Sequence, residues 1–168
     1  MEEQLMKTRK RKIVVWIVFA IYLALLIKVI LLKYPMSMIK HILNSSEISS
    51  LSFRIAHSNF IPFKTILEYL SKSQNMRISV KNILGNIVAF APFGFLLSLL
   101  IGRINKFKSI ILSAFVLSLM FEIIQLLTAI GTFDVDDILL NLLGAVLGYL
   151  FYQIFMRFIK ENKYYYTV

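Results

Sequence analysis

Acidic and carboxamide side chains are concentrated in the stretch from Glu122 to Gly148, whose other residues are mainly apolar. A carboxylate near the interior of a lipid bilayer costs at least a few kcal/mol unless it is paired, hydrated or protonated. Polar residues in such a stretch therefore need a chemical or a structural reason. The candidate residues are Asn82, Asn86, Glu122, Gln125, Asp134, Asp137 and Asn141.

Helical spacing groups several of these side chains. Asp134, Asp137 and Asn141 follow a three-to-four spacing and share one helix face. Asp134 also suits the N-cap of that helix, so capping alone accounts for one or two aspartates. Capping does not account for Glu122, which the sequence places far from any cap. The sequence thus favours a functional site over a purely structural network.

Small residues accompany the polar ones. Asn82 and Asn86 are four positions apart and share a helix face, and Gly85 lies beside them. Gly144 and Gly148 continue the stripe that begins with the aspartates. Since glycine lets two membrane helices approach closely, we expect all three glycines to pack against neighbouring helices.

Three chemistries remain open for this cluster. Glu122, Asp134 and Asp137, with the Asn141 oxygen, could bind Mg²⁺ or Ca²⁺, because hard cations prefer oxygen ligands. The same three carboxylates are candidates for general acid–base catalysis on a lipid-linked substrate. Alternatively, the seven polar residues bind a ligand and do no chemistry. No Gly-x-Ser-x-Gly elbow is present. The sequence does not decide whether the protein is an enzyme, and it predicts no cofactor other than this metal.

The elements that position these residues are long apolar segments. Of the 168 residues 58% are hydrophobic, and the mean hydropathy is +0.74. We predict an all-α integral membrane protein, formed as one domain over residues 1–168. A long amphipathic extracytoplasmic loop, 33–81, separates the first two of its four transmembrane helices, and Pro92 should kink the second near Phe90. The predicted spans are 13–32, 82–102, 109–130 and 138–158.

The distribution of charge predicts the orientation. The chain carries a net charge of +10 and no cysteine. Its basic residues lie between apolar segments and not on a face with stacking aromatics, so we do not expect nucleic-acid binding. Of the 19 basic residues, 11 fall in residues 1–12, in the 103–108 turn or after residue 156. Both termini are therefore predicted to be cytoplasmic, with the acidic 131–137 turn outside.

Glu122 needs a partner for its charge. The second to fourth predicted spans contain no Lys or Arg except Arg157, which is next to the last residue of the fourth. The candidates are Lys28, a cation of the 33–81 loop, a bound metal, or protonation of the carboxylate itself. The sequence does not choose among them.

Three segments of the chain carry recognisable motifs: NFIPF (59–63), NILGNIVAFAPFGFLL (82–97) and FEIIQLLTAIGTFDVDDILLNLLGAVLG (121–148). Together they resemble the VanZ-like family of small bacterial membrane proteins, which takes its name from a teicoplanin-resistance determinant. The combination of their motifs in this order is more specific than any one of them. Many relatives have an arginine just before the glycine of the third motif, where this chain has Ile130. That difference removes an obvious local counter-ion.

The resemblance implies a multi-pass protein of the bacterial cell membrane that contributes to resistance to teicoplanin and related lipoglycopeptides, by a mechanism that it does not supply. The placement of the polar residues predicts an outward-facing polar pocket as the site of this action. The expected partners of the protein are the lipid bilayer and either a lipoglycopeptide or a lipid-linked wall component. Two alternatives remain: an enzyme that modifies a lipid or a lipid-linked envelope component, and a structural or partner-binding membrane subunit. The sequence does not predict the oligomeric state.

Overall fold

The computed structural model describes residues 2–31, 50–71, 76–101 and 106–165. These residues form helices and turns, with one isolated parallel bridge between Asn59 and Asp134. The helices are α1 (Glu2–Leu31), α2 (Leu51–Ala56), α3 (Lys64–Ser71), α4 (Met76–Leu100), α5 (Lys106–Thr128) and α6 (Val135–Tyr165).

Four of the helices are long and apolar enough to cross a membrane, which confirms the predicted fold class. The candidate spans are Arg9–Leu31, Ser79–Leu100, Lys106–Thr128 and Val135–Ile159. The second, third and fourth spans begin three residues earlier than the sequence indicated. Helix α4 is a single helix that contains Pro92. The predicted long loop is not confirmed, because residues 51–56 and 64–71 are helical. The part of the chain that the structure describes does not include residues 33–49 and 72–75 of that loop or residues 103–105 of the basic turn.

Glycines bring α4 and α6 into close contact. A Cβ added at Gly94 would overlap the backbone carbonyl of Ala145, and one added at Gly148 would overlap that of Ala91. A Cβ at Gly144 would overlap the carbonyl of Ile87. The two backbones therefore touch along several turns, as small residues permit in membrane helices. The packing predicted for Gly144 and Gly148 is confirmed.

Helix α1 packs against α4 through aromatic side chains. Phe19 is buried and lies 5.7 Å from Phe93, measured between ring centroids. The Tyr22 hydroxyl donates to the carbonyl oxygen of Ala89 (2.6 Å). Phe90, with no exposed surface, links this contact to α5 through Phe121. The core is thus apolar in the middle of the helix bundle, and the buried Glu122 lies toward one end of the bundle.

That end, where α1 and α5 finish and α4 and α6 begin, is called here the pocket end. Helix α5 stops at Thr128, and the next residue, Ala129, has a left-handed φ of 58°. After a short turn, Asp134 caps α6, since its Oδ1 accepts the backbone N–H of Asp136 (2.8 Å). The predicted capping role of Asp134 is therefore confirmed.

Helix α2 docks on the C-terminus of α5 through one arginine. Arg54 Nη1 donates to the carbonyl oxygens of Leu126 (2.7 Å) and Leu127 (2.8 Å). The last carbonyls of a helix have no partner within it and carry partial negative charge, so a guanidinium stabilises them. Arg54 thereby holds α2 against the pocket end.

Helix α3 is anchored by a carboxylate from α6. Asp136 has no exposed surface, and its oxygens accept the backbone N–H groups of Phe63 (2.5 Å) and Ile66 (3.1 Å). These groups belong to the first turn of α3 and the residue before it, where backbone donors lack helical partners. Asp136 therefore acts as an N-cap supplied by another helix.

Candidate functional site

A polar cavity occupies the pocket end between α1, α4, α5 and α6. This main cavity has a volume of about 380 Å³. A second cavity of about 230 Å³, the turn cavity, lies beside it next to the α5–α6 turn and shares Ile30, Asn82, Gln125 and Asp137 with it. Six of the seven predicted site residues line the main cavity, and Asp134 lines the turn cavity. The full lining of the main cavity is Val29, Ile30, Lys81, Asn82, Gly85, Asn86, Ala89, Glu122, Gln125, Asp137 and Asn141.

Glu122 is the most buried acid of the main cavity, with 2% of its surface exposed. Its Oε2 accepts the backbone N–H of Asp134 at 2.8 Å. The interpretation that Glu122 lies far from any cap was therefore wrong. The sequence separation of 12 residues is closed by the tight turn between α5 and α6, which returns the start of α6 to the side chain. This bond fixes the carboxylate at the wall of the cavity.

Asp137 contacts the second of the two asparagine-bearing turns of α4. Asn86 Nδ2 donates to Asp137 Oδ1 at 2.6 Å, a short distance typical of a hydrogen bond to a charged acceptor. One turn earlier, Asn82 Nδ2 donates to the hydroxyl of Tyr69 on α3 (3.0 Å). The i, i+4 asparagines thus hold α6 and α3 at neighbouring points of the cavity wall.

Two further carboxamides close the cavity from α5 and α6. Gln125 Nε2 donates to the carbonyl oxygen of Ile30 near the end of α1 (3.2 Å). Asn141 Nδ2 donates to Ser118 Oγ (2.8 Å), and the residue is 2% exposed. Asn141 Oδ1 is buried and has no hydrogen-bond partner among the residues that the structure describes. A buried acceptor of this kind is unfavourable unless a donor occupies the adjacent space.

Lysine side chains and a bound metal ion are the two sources of positive charge that the sequence offered for the acids. Lys81 lines the main cavity, whereas Lys28 is exposed on α1 and does not line it. Lys81 belongs to the 33–81 region that the sequence offered as a source of counter-charge. No group of three or more His, Cys, Asp or Glu side chains is placed to hold a metal ion within the described residues.

Sequence reasoning missed several residues of the pocket end. Tyr69 reaches the turn cavity from α3, and Lys81 lines the main cavity from the first turns of α4. Asn59 pairs by its backbone with Phe133 and Val135, and its Nδ2 donates to Asp134 Oδ1 (2.9 Å). The NFIPF motif, which begins at Asn59, was the one available signal. Its spacing gave no indication of what Asn59 contacts.

Gly85 was assigned the wrong role from sequence. A Cβ added there would meet nothing within 4 Å, so Gly85 does not pack against another helix. It is exposed and lines the main cavity. The close approach that the sequence predicted at Gly85 occurs at Gly94 instead.

Comparison with known proteins identifies the family of the chain. The family model described as VanZ/LLP1 matches residues 19–156. The chain belongs to the VanZ/LLP1 family. It is also similar to Protein VanZ of Enterococcus faecium, with 36% identity over 86 residues, which cover 49% of this chain and 51% of that protein. The chain therefore matches about half the length of this VanZ relative. None of the solved structures matches the chain.

Family membership and the four apolar spans together identify a multi-pass membrane protein of VanZ type. The VanZ/LLP1 match includes α4, α5 and most of α6, and hence every predicted site residue. The resemblance inferred from the three sequence segments is thus confirmed.

Proposed function

We propose that this protein lowers the susceptibility of a bacterium to teicoplanin and related lipoglycopeptides, and that the main cavity is the site through which it acts. Membership of the VanZ/LLP1 family and similarity to Protein VanZ support the proposal. The observation that carries it is the cavity itself, because it gathers two carboxylates and four carboxamides at one end of an otherwise apolar bundle. Structural capping explains Asp134 and Asp136 and leaves this open polar space unexplained.

The test is expression in a susceptible Gram-positive host, followed by measurement of the minimal inhibitory concentration of teicoplanin. The parent chain should raise this concentration several-fold. Glu122→Gln and Asp137→Asn should lose the protection, because each removes a negative charge from the cavity wall with little change in shape. Glu68→Gln is the matched control, since Glu68 lies on α3 and is not part of the cavity lining. Protection by all variants at equal protein level would refute the role of the cavity.

The proposed topology places the pocket end outside the cell and both termini in the cytoplasm. The excess of basic residues at the opposite end and in the terminal segments supports this orientation. Because the chain has no cysteine, a single introduced cysteine can report on which side of the membrane its position lies. Thr132→Cys, exposed at the pocket end, should react with a membrane-impermeant maleimide on intact cells. Lys108→Cys, at the other end, should react only after lysis; the reverse pattern would invert the topology.

A membrane enzyme is the second candidate function. Glu122 and Asp137 line one cavity, and paired carboxylates are the groups that general acid–base catalysis requires. If the protein modifies a lipid or a lipid-linked envelope component, lipid extracts of expressing cells should contain a species that is new or depleted relative to Glu122→Gln cells. Identical lipid profiles would exclude this activity for the membrane lipids of that host.

A further inference from the structure

A groove lies on the outside of the bundle, near the start of α5 and away from the pocket end. This groove, called here the α5 groove, has a volume of about 380 Å³ and is bordered on one side by Leu142 of α6. Its α5 residues after Phe107 follow a three-to-four spacing, so they form one stripe of the helix. From Lys108 to Phe115 the stripe is roughly 10 Å long. The lining residues are Phe107, Lys108, Ile111, Leu112, Phe115 and Leu142.

The α5 groove faces the hydrocarbon of the bilayer. Its lining residues all lie within the candidate spans Lys106–Thr128 and Val135–Ile159. Leu112 is 64% exposed and Phe115 is 41% exposed, so the groove is open toward the side of the bundle. A concave apolar surface at this position is filled by apolar groups, because water gains nothing there. The bilayer supplies such groups as acyl chains.

Lys108 is the charged residue of the lining, and it lies at the end of the stripe nearest the start of α5. Its side chain is exposed and makes no hydrogen bond or ion pair with any residue that the structure describes. Lys106 differs, since its Nζ donates to the Tyr152 hydroxyl (2.9 Å) and lies 4.5 Å from the centre of that ring. A lysine near the end of a membrane helix extends its ammonium to the head groups. Lys108 can therefore bind an anion at the head of the groove.

The charge around Lys108 favours an anionic lipid. Among the side chains that the structure describes, the acids lie at the pocket end, and the opposite end carries basic groups only. The proposed topology places that opposite end in the cytoplasmic leaflet, whose anionic lipids attract basic segments. A zwitterionic head group adds an ammonium that this end repels, whereas an anionic phospholipid supplies its phosphate alone. The basic residues described there are Arg9, Lys10, Arg11, Lys12, Lys106, Lys108 and Arg157.

We propose that the α5 groove binds one acyl chain of an anionic phospholipid and that Lys108 pairs with the phosphate of its head group. Ile111, Leu112 and Phe115 hold the chain. Basic pockets between membrane helices on the cytoplasmic side bind anionic head groups, which is the chemistry inferred here. The α5 groove shares no lining residue with the main cavity. The inference therefore goes beyond the proposed function and does not depend on it.

Quenching of tryptophan fluorescence by brominated lipids tests the proposal on the full-length chain in vesicles. Trp16 is the single tryptophan, so Phe115→Trp in a Trp16→Phe background places the reporter in the α5 groove. Brominated phosphatidylglycerol or brominated phosphatidylcholine is added in equal proportions to unbrominated phosphatidylcholine. The reporter should show an affinity for phosphatidylglycerol about fivefold higher than for phosphatidylcholine, the factor expected for one lysine beside an anionic head group. Equal affinities would overturn the proposal.

Lysine variants of this reporter chain locate the preference. Lys108→Gln should abolish the preference for phosphatidylglycerol, and Lys108→Arg should retain it because the charge is kept. Lys12→Gln is the matched control, since it removes the same charge from an exposed position of α1 at the same end of the bundle. It should leave the preference unchanged. A preference that survives Lys108→Gln, or that falls equally in Lys12→Gln, would show a general surface attraction and overturn the site.

Two further outcomes separate a lipid from the other possible occupants. Soluble glycerol 3-phosphate has a phosphate and no acyl chain, so it should not relieve the quenching by brominated phosphatidylglycerol. Relief by this compound would overturn the assignment to a lipid, because the phosphate alone would then suffice. A second copy of the chain seated in the α5 groove would shield the reporter from both brominated lipids. Absence of quenching by either lipid would therefore also overturn the proposal.

Discussion

At the scale of the residue, neighbouring acids at the start of α6 differ in what they contact. Asp134 and Asp136 both accept backbone N–H groups, Asp134 within α6 and Asp136 from the start of α3. Asp137, one position further, accepts from the side chain of Asn86 and lines both cavities. Helix geometry separates them, because consecutive residues point in directions about 100° apart. Two of the three acids therefore build the fold, and the third belongs to the cavity.

Replacing Asp136 tests its role as a cap for α3. Asp136→Ala leaves the N–H groups of Phe63 and Ile66 without this acceptor and should lower the free energy of unfolding by about 1–3 kcal/mol. Hydrogen–deuterium exchange should become faster at residues 63–71 and remain slow in the middle of α4. Asp136→Asn retains one acceptor oxygen and should give an intermediate effect. Unchanged exchange at 63–71 in Asp136→Ala would show that α3 is held by other contacts.

The contrast between Asp136 and its neighbours marks a limit of sequence reasoning. The three-to-four stripe correctly grouped Asp134, Asp137 and Asn141, since that spacing follows from helix geometry alone. It gave no role to Asp136, whose partners lie 73 and 70 positions earlier in the chain. Contacts over that separation depend on how the helices dock, which local periodicity does not encode.

At the scale of the element, glycine positions decide where α4 contacts α6 and where it opens. Sequence predicted the close packing of Gly144 and Gly148 correctly, because both continue the polar stripe of α6. It assigned the same role to Gly85, although only Gly94 on α4 meets a carbonyl of α6. Composition cannot distinguish the two, because small residues serve both close packing and an open cavity.

Alanine substitutions should separate these roles. Gly94→Ala forces a Cβ against the Ala145 carbonyl, so it should push α4 from α6 and lower the thermal unfolding midpoint markedly. Gly85→Ala adds the same methyl group in open space and should be neutral or stabilising by about 0.5–1 kcal/mol through helix propensity. The comparison requires only the two purified variants in one detergent. Equal midpoints would show that the α4–α6 contact is looser than the glycine geometry indicates.

At the scale of the whole molecule, α3 lies along the pocket end with three distinct sides. Thr65, Ile66 and Tyr69 are half-buried against the bundle. The outer surface is divided between an apolar pair, Leu67 (61% exposed) and Leu70 (70% exposed), and a charged pair. Because each residue is rotated by about 100° from the previous one, the apolar pair and the charged pair point to different sides of α3. The charged pair is Lys64 and Glu68. A helix with such sides is typical of one that lies in the membrane interface.

Tryptophan fluorescence can measure that placement. The chain has a single tryptophan, Trp16, so Trp16→Phe provides a silent background. In vesicles that contain brominated phosphatidylcholine, Leu67→Trp should be strongly quenched, because its side would face the acyl chains. Glu68→Trp, on the charged side, should be quenched less by the lipid and more by acrylamide. Equal quenching of the two positions by both agents would place α3 away from the interface.

The border of the main cavity formed by α1 and α4 has a consequence for how the affinity of a cavity ligand should be expressed. Val29, Lys81 and Gly85 border the cavity within the candidate membrane spans, so a solute that reaches it there has already partitioned into the leaflet. Occupancy is then governed by the mole fraction of that solute among the lipids, and not by its molarity in water. A modest intrinsic affinity suffices when the ligand is an abundant component of the leaflet, and diluting the membrane with inert lipid empties the cavity while the aqueous phase stays the same.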